Sequence, residues 1–553
     1  MRQQLMTGAA ALSLALAVAA VAPAPAAAAA PTKPVRTTGG LVSGIPGSAP
    51  GVTEFRGIPF GAPPVGPLRW KAPQPAAHWA GVRKADHWGD ACMQPSAKTR
   101  SLGVNLAIDL PDSPKMSEDC LYLNVTAPTP PAGKKTHAGK KLPVMVWVYG
   151  GAYAEGAGNM PISDGNHLAK KGAVVVTFNY RVGSFGFLSH PELSAESGHN
   201  ASGNQALADA IAALKWVKAN IAQFGGDPDN VTIFGQSAGA CINAGLVGSP
   251  VAKGLFKRAI SQSGQWMGLG IDKMLPREEA EQRTVEQAGK AGAKSLADMR
   301  AMSAEDIMKN FPRGAGMMID GYIVPEDLSK TFAEGKQNPV DVLTGSNGTE
   351  LNFGPPQKPT VASLKAGLAR TFKELAPAAE KAYPAANDAE AAKILPSLPS
   401  ADMMAWGQRL YADDMAKRGK KAWVYHFTFH PPGPPSNPDP GPTHASDIAY
   451  VFDNLALPHE IPDASSPELS AKDPAARKLA DRMSSYWVNF ARTGDPNGKG
   501  LPHWPSVRQM KAGGFMILDK KPGPGEVLTP AKIALFDAVY DQKVATPEQL
   551  PAK

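Results

Sequence analysis

Val231-Thr232-Ile233-Phe234-Gly235-Gln236-Ser237-Ala238-Gly239 is the stretch on which the reading of this chain turns. Its first four residues form a short apolar run, rich in β-branched side chains, that reads as a buried strand. The next five match G-x-S-x-G, and no second match occurs in the sequence. A helical pattern follows toward Val247. Strand, sharp turn and helix are the setting in which this motif carries a nucleophilic serine. The reason is steric: the chain reverses so tightly at Ser237 that the residues two positions away must be small. The turn lifts the hydroxyl clear of the sheet, and the following helix aims its first N–H groups at the same place.

Moving outward, apolar residues Leu207, Ile211, Leu214, Val217, Ile221 and Phe224 recur at spacings of three and four, so Gln205 to Phe224 reads as a helix stopped by Gly225-Gly226-Asp227-Pro228. Leu142–Tyr149 and Ala173–Asn179 read as buried strands separated by a Gly-rich loop. Downstream, Pro339–Thr344 reads as a strand ending in a Gly345-Ser346-Asn347-Gly348 turn. Ala362–Leu395 reads as helical, Ala422–Phe429 as a strand, and Pro431–Pro442 as a Pro-rich loop. Strand–helix alternation of this kind predicts an α/β protein with a mainly parallel central sheet flanked by helices. No internal repeat and no convincing linker interrupts it, so residues 31–553 are expected to form one large domain.

Residues 1–30 are set apart. Arg2 is their only charge, an apolar run covers Ala9 to Ala20, and small residues follow up to Ala30. This is the pattern of a cleavable secretory signal, too short to span a bilayer. Its removal leaves the net charge of +8 lower by one. The lysines are scattered, with Lys134, Lys135, Lys140 and Lys141 the densest group, and no aromatic-interleaved basic stripe points to nucleic acid. Cys92, Cys120 and Cys241 are the three cysteines; in an oxidising compartment two can pair. No Cys/His cluster suggests a metal.

A serine hydroxyl needs a base, and the base needs a group that orients it. Behind an elbow of this type the order along the chain is serine, acid, histidine. Five histidines follow Ser237: His426, His430, His444, His459 and His503. His426 falls inside a strand and reads as packed. His430 is at that strand's end, and His459 and His503 stand in proline-flanked segments. His444 lies on a loop after the strand, where a catalytic base belongs. For the acid, Glu350 comes just after the predicted turn, with Asp320 and Asp341 in competition.

These residues sit within a longer series of ordered matches: Phe55-Arg56-Gly57-Ile58-Pro59-Phe60, Ser117-Glu118-Asp119-Cys120-Leu121-Tyr122-Leu123-Asn124, Asn179-Tyr180-Arg181, Ser261-Gln262-Ser263-Gly264 and Gly494-Asp495-Pro496-Asn497. The chain thereby resembles the type-B carboxylesterase family, which includes para-nitrobenzyl-esterase-like bacterial enzymes, liver carboxylesterases and the cholinesterases. The resemblance implies the α/β-hydrolase fold with long insertions and a serine carboxylesterase acting on a small-molecule ester, with no cofactor and no obligate protein partner. The N-terminal signal makes the expected location secreted or periplasmic, with no stable membrane anchor. It favours Glu350 as the acid and His444 as the base, and gives Ser263 a supporting place behind them. It implies an oxyanion hole from the N–H groups of Gly151, Ala152 and Ala238, and a disulfide between Cys92 and Cys120. That bridge, closing a loop of 28 positions, is worth about 3 kcal/mol by chain entropy. Cys241 is expected to be a buried free thiol.

Two positions depart from the commonest family pattern: Gln236 replaces a glutamate, and Ala152 replaces the third glycine of the oxyanion loop. Family members with Gly-Gly-Gly or Gly-Gly-Ala here often accept bulky alcohol groups. A specialised esterase or lipase for a bulky or polymeric ester is an alternative, and a non-catalytic esterase-like binding module is a second. The cholinesterase-like members place a tryptophan on the loop closed by the first disulfide. Between Met93 and Asp119 this chain has no Phe, Tyr or Trp. Rates measured on a choline ester and on its neutral isostere are therefore expected to be similar, and a marked preference for the cation would contradict this. Trp266 is a candidate for the acyl side of the site.

Overall fold

The computed structural model describes residues 32–95, 115–129, 141–264, 274–312, 314–350, 359–395, 400–457 and 465–545. The proposed signal (1–30), Trp266, His459 and most of the 93–119 loop lie outside the described residues.

An 11-stranded sheet runs through the molecule. In chain order its strands are β1 (Ile45–Pro46), β2 (Val52–Pro59), β3 (Tyr122–Pro128), β4 (Leu142–Val148), β5 (Val174–Phe178), β6 (Gly226–Gln236), β7 (Arg258–Gln262), β8 (Asp341–Asn347), β9 (Ala422–Phe427), β10 (Gly514–Leu518) and β11 (Gly523–Glu526). In space they lie in the order β11-β10-β9-β8-β7-β6-β4-β5-β3-β2-β1. Strands β4 to β10 are mutually parallel; the hairpin partners at both ends are antiparallel. The parallel strands are buried on both faces, which is why Val144–Val148 and Val174–Phe178 read as continuous apolar runs rather than alternating ones. Helices cover both faces. Phe234 of β6 packs on Trp147 and on Phe452 of one helical layer, while its neighbour Gly235 backs onto Asn243 of the helix after Ser237.

This topology locates the site. From β4 the chain crosses to β5 on one side; from β6 it proceeds to β7 on the other. The strand order therefore reverses between β4 and β6, and the crevice beyond their carboxyl ends is where open α/β sheets bind ligands.

Local differences from the sequence reading have physical causes. The strand expected at Pro339–Thr344 is β8, Asp341–Asn347, so Gly345, Ser346 and Asn347 are strand rather than turn. All three pair in register with β9, and Gly345 pairs with β7 as well. Gly345 is glycine because the Tyr425 ring lies across it: a Cβ would stand 2.2 Å from that ring. The helical stretch from Ala362 divides into Val361–Phe372, Ala376–Ala382 and Asp388–Ile394. Pro377 starts the second helix, and the Asn387 side chain caps the third. The helix from Gln205 ends at Asn220; Ile221–Phe224 tighten into a 3-10 turn, and Gly225 closes it at φ 86°. Cys92 and Cys120 form a disulfide with Cα atoms 5.0 Å apart. Among the described residues no helix is long and apolar enough to cross a membrane.

Candidate active site

Ser237 is the residue between β6 and the helix α1 (Ala238–Gly248), at φ 54° and ψ −127°. A non-glycine residue held there carries strain of about 1–3 kcal/mol, so the surroundings must over-determine it. They do. The Ser237 N–H donates to Gln262 O at 2.9 Å, and Cys241 N–H donates to Ser237 O at 3.0 Å. The flanking glycines allow α1 to close on the sheet: a Cβ on Gly239 would lie 2.1 Å from Val148 O, and one on Gly235 2.5 Å from the same atom. Cys241 is the cysteine outside the disulfide, and it is only half-buried, unlike every other residue of α1. One turn beyond Ser237, it shares the face of the helix on which Ser237 meets the crevice.

The loops after β8 and β9 zip together and bring two of the expected residues into contact. Gly348 N–H donates to Phe427 O, Thr349 N–H to Pro442 O, and the Asn347 side chain to Thr443 O at 2.7 Å. Glu350 and His444, 94 positions apart, then meet through Glu350 Oε2 and His444 Nδ1. Glu350 Oε1 also accepts the Asn347 N–H at 2.8 Å. Burial pushes the Glu350 carboxyl up. The facing His444 imidazole, the Asn347 N–H and the Ser263 hydroxyl together outweigh it and hold the carboxyl below its ordinary value. With Nδ1 directed to Glu350, Nε2 of His444 is the acceptor nitrogen, and it faces the elbow, where the Gln236 amide nitrogen stands 3.1 Å away.

The other candidates stand elsewhere. Asp320 uses its carboxylate to accept the Tyr322 and Val324 N–H groups. Asp341 begins β8, accepts the Lys421 N–H and faces Arg258. His430 pairs with Asp439 at the surface. His426 is enclosed in β9 beside Ser346, and burial pushes its imidazole down to about 4, against the upward pull of Asp402 and Glu350. Because the folded value lies below the ordinary 6.5, the unfolded chain takes up the proton first as pH falls. Stability is therefore expected to drop between pH 6.5 and about 4, by about 3 kcal/mol from this residue. Urea midpoints measured across that range should flatten in His426→Gln; an unchanged slope would contradict the assignment.

After β4, Gly150, Gly151 and Ala152 pass directly over the elbow: a Cβ on Gly150 would stand 3.1 Å from the Ser237 Cβ. Gly151, Ala152 and Tyr153 take φ of 109°, 52° and 62°. Thus Ala152 occupies a left-handed conformation in which glycine would be free of cost. The N–H groups of Gly151, Ala152 and Ala238 make no hydrogen bond among the described residues.

One functional-site residue was not singled out from the sequence. Asp447, three positions after His444, is fully buried; its carboxylate accepts Tyr425 OH at 2.7 Å and the Gln262 side-chain amide at 3.0 Å. Burial, together with the nearby Glu350 charge, raises it above the ordinary carboxylate range despite those two donors. Gln262 also accepts Trp487 Nε1–H at 3.1 Å and, through its backbone carbonyl, holds Ser237. A buried polar chain thus ties the His444 turn to the elbow. The acid at that spacing was the available signal. Among the described residues there is no group of three or more His, Cys, Asp or Glu side chains placed to hold a metal ion.

Comparison with known proteins shows the family and the fold. Residues 31–535 match the model of the carboxylesterase family. The chain is 38% identical to fumonisin B1 esterase of Sphingopyxis macrogoltabida, with 90% of this chain and 88% of that protein covered. It is 34% identical to para-nitrobenzyl esterase of Bacillus subtilis strain 168, covering 83% and 90%. Among solved structures, a Geobacillus stearothermophilus carboxylesterase superposes with a TM-score of 0.70 at 30% identity, over 91% of this chain and 99% of that one.

Proposed function

This chain belongs to the carboxylesterase family and is a carboxylic ester hydrolase with the α/β-hydrolase fold; from that premise we propose that it is a secreted serine esterase working through an acyl-enzyme on Ser237. The observation that carries the reading is the contact of Glu350 with His444 Nδ1, which turns Nε2 toward the strained elbow. His444 takes the proton of Ser237 Oγ as the oxygen attacks the ester carbonyl. The resulting oxyanion is held by the N–H groups of Gly151, Ala152 and Ala238. His444 passes its proton to the departing alcohol. Water, deprotonated in turn by His444, attacks the acyl-enzyme and releases the acid. Glu350 stays ionised throughout, fixing the imidazole and stabilising its cation. Ser263 stands behind Glu350, where its hydroxyl supports the carboxylate. Export is supported by the composition of residues 1–30 and by the Cys92–Cys120 bridge, which suits an oxidising compartment.

The test is turnover of p-nitrophenyl acetate and butyrate by the purified mature protein. A burst of p-nitrophenol followed by steady release is expected, and a folded protein with no turnover on either ester would contradict a general esterase. The similarity to fumonisin B1 esterase favours a second reading, in which the site serves one specialised ester. Fumonisin B1 assayed beside the p-nitrophenyl esters separates the two, by which of them gives the larger kcat/KM.

A further inference from the structure

We propose that Gln94 is a positioning residue for the oxyanion loop, and that through it the Cys92–Cys120 bridge is coupled to catalysis. The inference rests on the serine-esterase reading above, because it concerns the loop whose N–H groups are assigned there to the oxyanion.

Gln94 is buried, 2% exposed, and it is not on any element of the sheet. Its amide is fully used. Nε2 donates to Gly156 O at 2.9 Å and to Cys92 O at 3.0 Å, while Oε1 accepts the Gly156 N–H at 2.9 Å. A side chain that grips both backbone groups of one distant residue, 62 positions on, fixes that residue in place and in orientation. Gly156 is the far end of the oxyanion loop. Its own backbone is folded against the near end: a Cβ there, at φ 126°, would meet the Tyr149 ring at 2.2 Å and Gly150 O at 2.9 Å. Between the two ends the loop closes on itself, with Ala154 and Glu155 N–H groups both donating to Gly151 O.

The loop needs such a clamp. Ala152 and Tyr153 are consecutive non-glycine residues in the left-handed region, at about 1–2 kcal/mol each. A loop under that strain relaxes unless its ends and middle are held. Gly183 N–H holds the middle, through Tyr153 O at 2.7 Å, and Gln94 holds the end. The third partner of Gln94 is the carbonyl of Cys92 itself. Cys92 is tied covalently to Cys120, immediately before β3. A continuous path therefore runs from the sheet, through the disulfide and the Gln94 amide, to the peptides that face the reacting carbonyl.

Gln94→Ala removes the clamp, and Gln94→Glu keeps its size but sets a carboxylate against the Gly156 and Cys92 carbonyls. Both are measured on p-nitrophenyl butyrate beside the parent, with active sites counted by the burst. Inhibition by a trifluoromethyl ketone, whose adduct oxyanion occupies the same N–H groups, is read in parallel. Displacing donors by a fraction of an ångström to 1 Å is expected to lower kcat per active site by about 10- to 100-fold. KM should stay within about twofold, and the trifluoromethyl ketone Ki should rise by the same factor as kcat/KM falls. Replacing both bridge cysteines by serine should lower kcat per active site in the same direction, and adding Gln94→Ala to that variant should cost less than it does alone. If kcat per active site and the inhibitor Ki of both Gln94 variants match the parent while only thermal stability falls, Gln94 is structural and the proposal is overturned. If the parent itself shows no burst and no turnover, the serine-esterase reading fails, and the proposal falls with it.

Discussion

Ser237→Ala is expected to reduce kcat on p-nitrophenyl butyrate by about 10⁴- to 10⁶-fold, to near the uncatalysed background, with little change in folding. Removing the hydroxyl removes the only atom at the elbow that can form the acyl bond, so no weaker version of the same route remains. The elbow itself should persist. Its shape is set by the Ser237 N–H on Gln262 O, by Cys241 N–H on Ser237 O and by the glycines on either side, none of which involves the hydroxyl. A thermal midpoint within a few degrees of the parent is the accompanying expectation. A variant retaining a tenth or more of parent activity would move the nucleophile elsewhere. The oxyanion N–H groups would still be present and would leave a residual acceleration over water, which is why background and not zero is the expected floor.

Glu350→Gln is expected to cost about 10³- to 10⁴-fold in kcat while preserving the packing of the site. The amide has the carboxylate's shape and can still meet the imidazole, but it supplies no charge to stabilise the imidazolium and can present an N–H where an acceptor is needed. His444 would then hold its proton on the wrong nitrogen. The effect should be larger than for a solvent-exposed acid because Glu350 is 4% exposed and its charge acts through a poorly screened interior. The His444 and Asn347 contacts, which outweigh burial, make the carboxylate a pH-linked group. Its folded value lies below the ordinary one, so its contribution to stability is present above the unfolded value and is lost as pH falls through the folded one. Replacing it by glutamine should therefore flatten that part of the acid limb of stability as well as lowering kcat. Activity within tenfold of the parent would leave Asp320 or Asp341 to be reconsidered.

The strand–elbow–helix unit was legible because three local signals agree there: a β-branched run, two glycines at fixed offsets and a helical continuation. The mainly parallel sheet followed from the alternation of strand-like and helix-like segments along the chain. Local pattern ordered the acids only in part: Asp341 falls inside the predicted strand and Glu350 follows its turn, with Asp320 still in competition until the family resemblance favoured Glu350. The pairing of the loops after β8 and β9 is what brings Glu350 to His444. The extent of β8 was also hidden, since Gly345-Ser346-Asn347-Gly348 has turn composition. Two neighbouring strands and the Tyr425 ring override that composition, as tertiary context does for weak local preferences. Gln94 was invisible, and Asp447 offered only its spacing from His444, for the same reason. Each is one polar residue in an unremarkable setting, and each acquires its place from partners far away in sequence, such as Tyr425, Gln262 and Gly156. Cys241 is half-buried where the sequence reading expected a buried thiol.

The most direct test of the account is to treat the active protein with a fluorophosphonate ester, follow the loss of esterase activity, and map the adduct by peptide mass spectrometry. The account expects one covalent phosphonyl group per molecule, on Ser237, gained in step with the loss of activity and absent from Ser237→Ala. Complete inactivation with the adduct on another residue, or full activity retained with Ser237 modified, would contradict it.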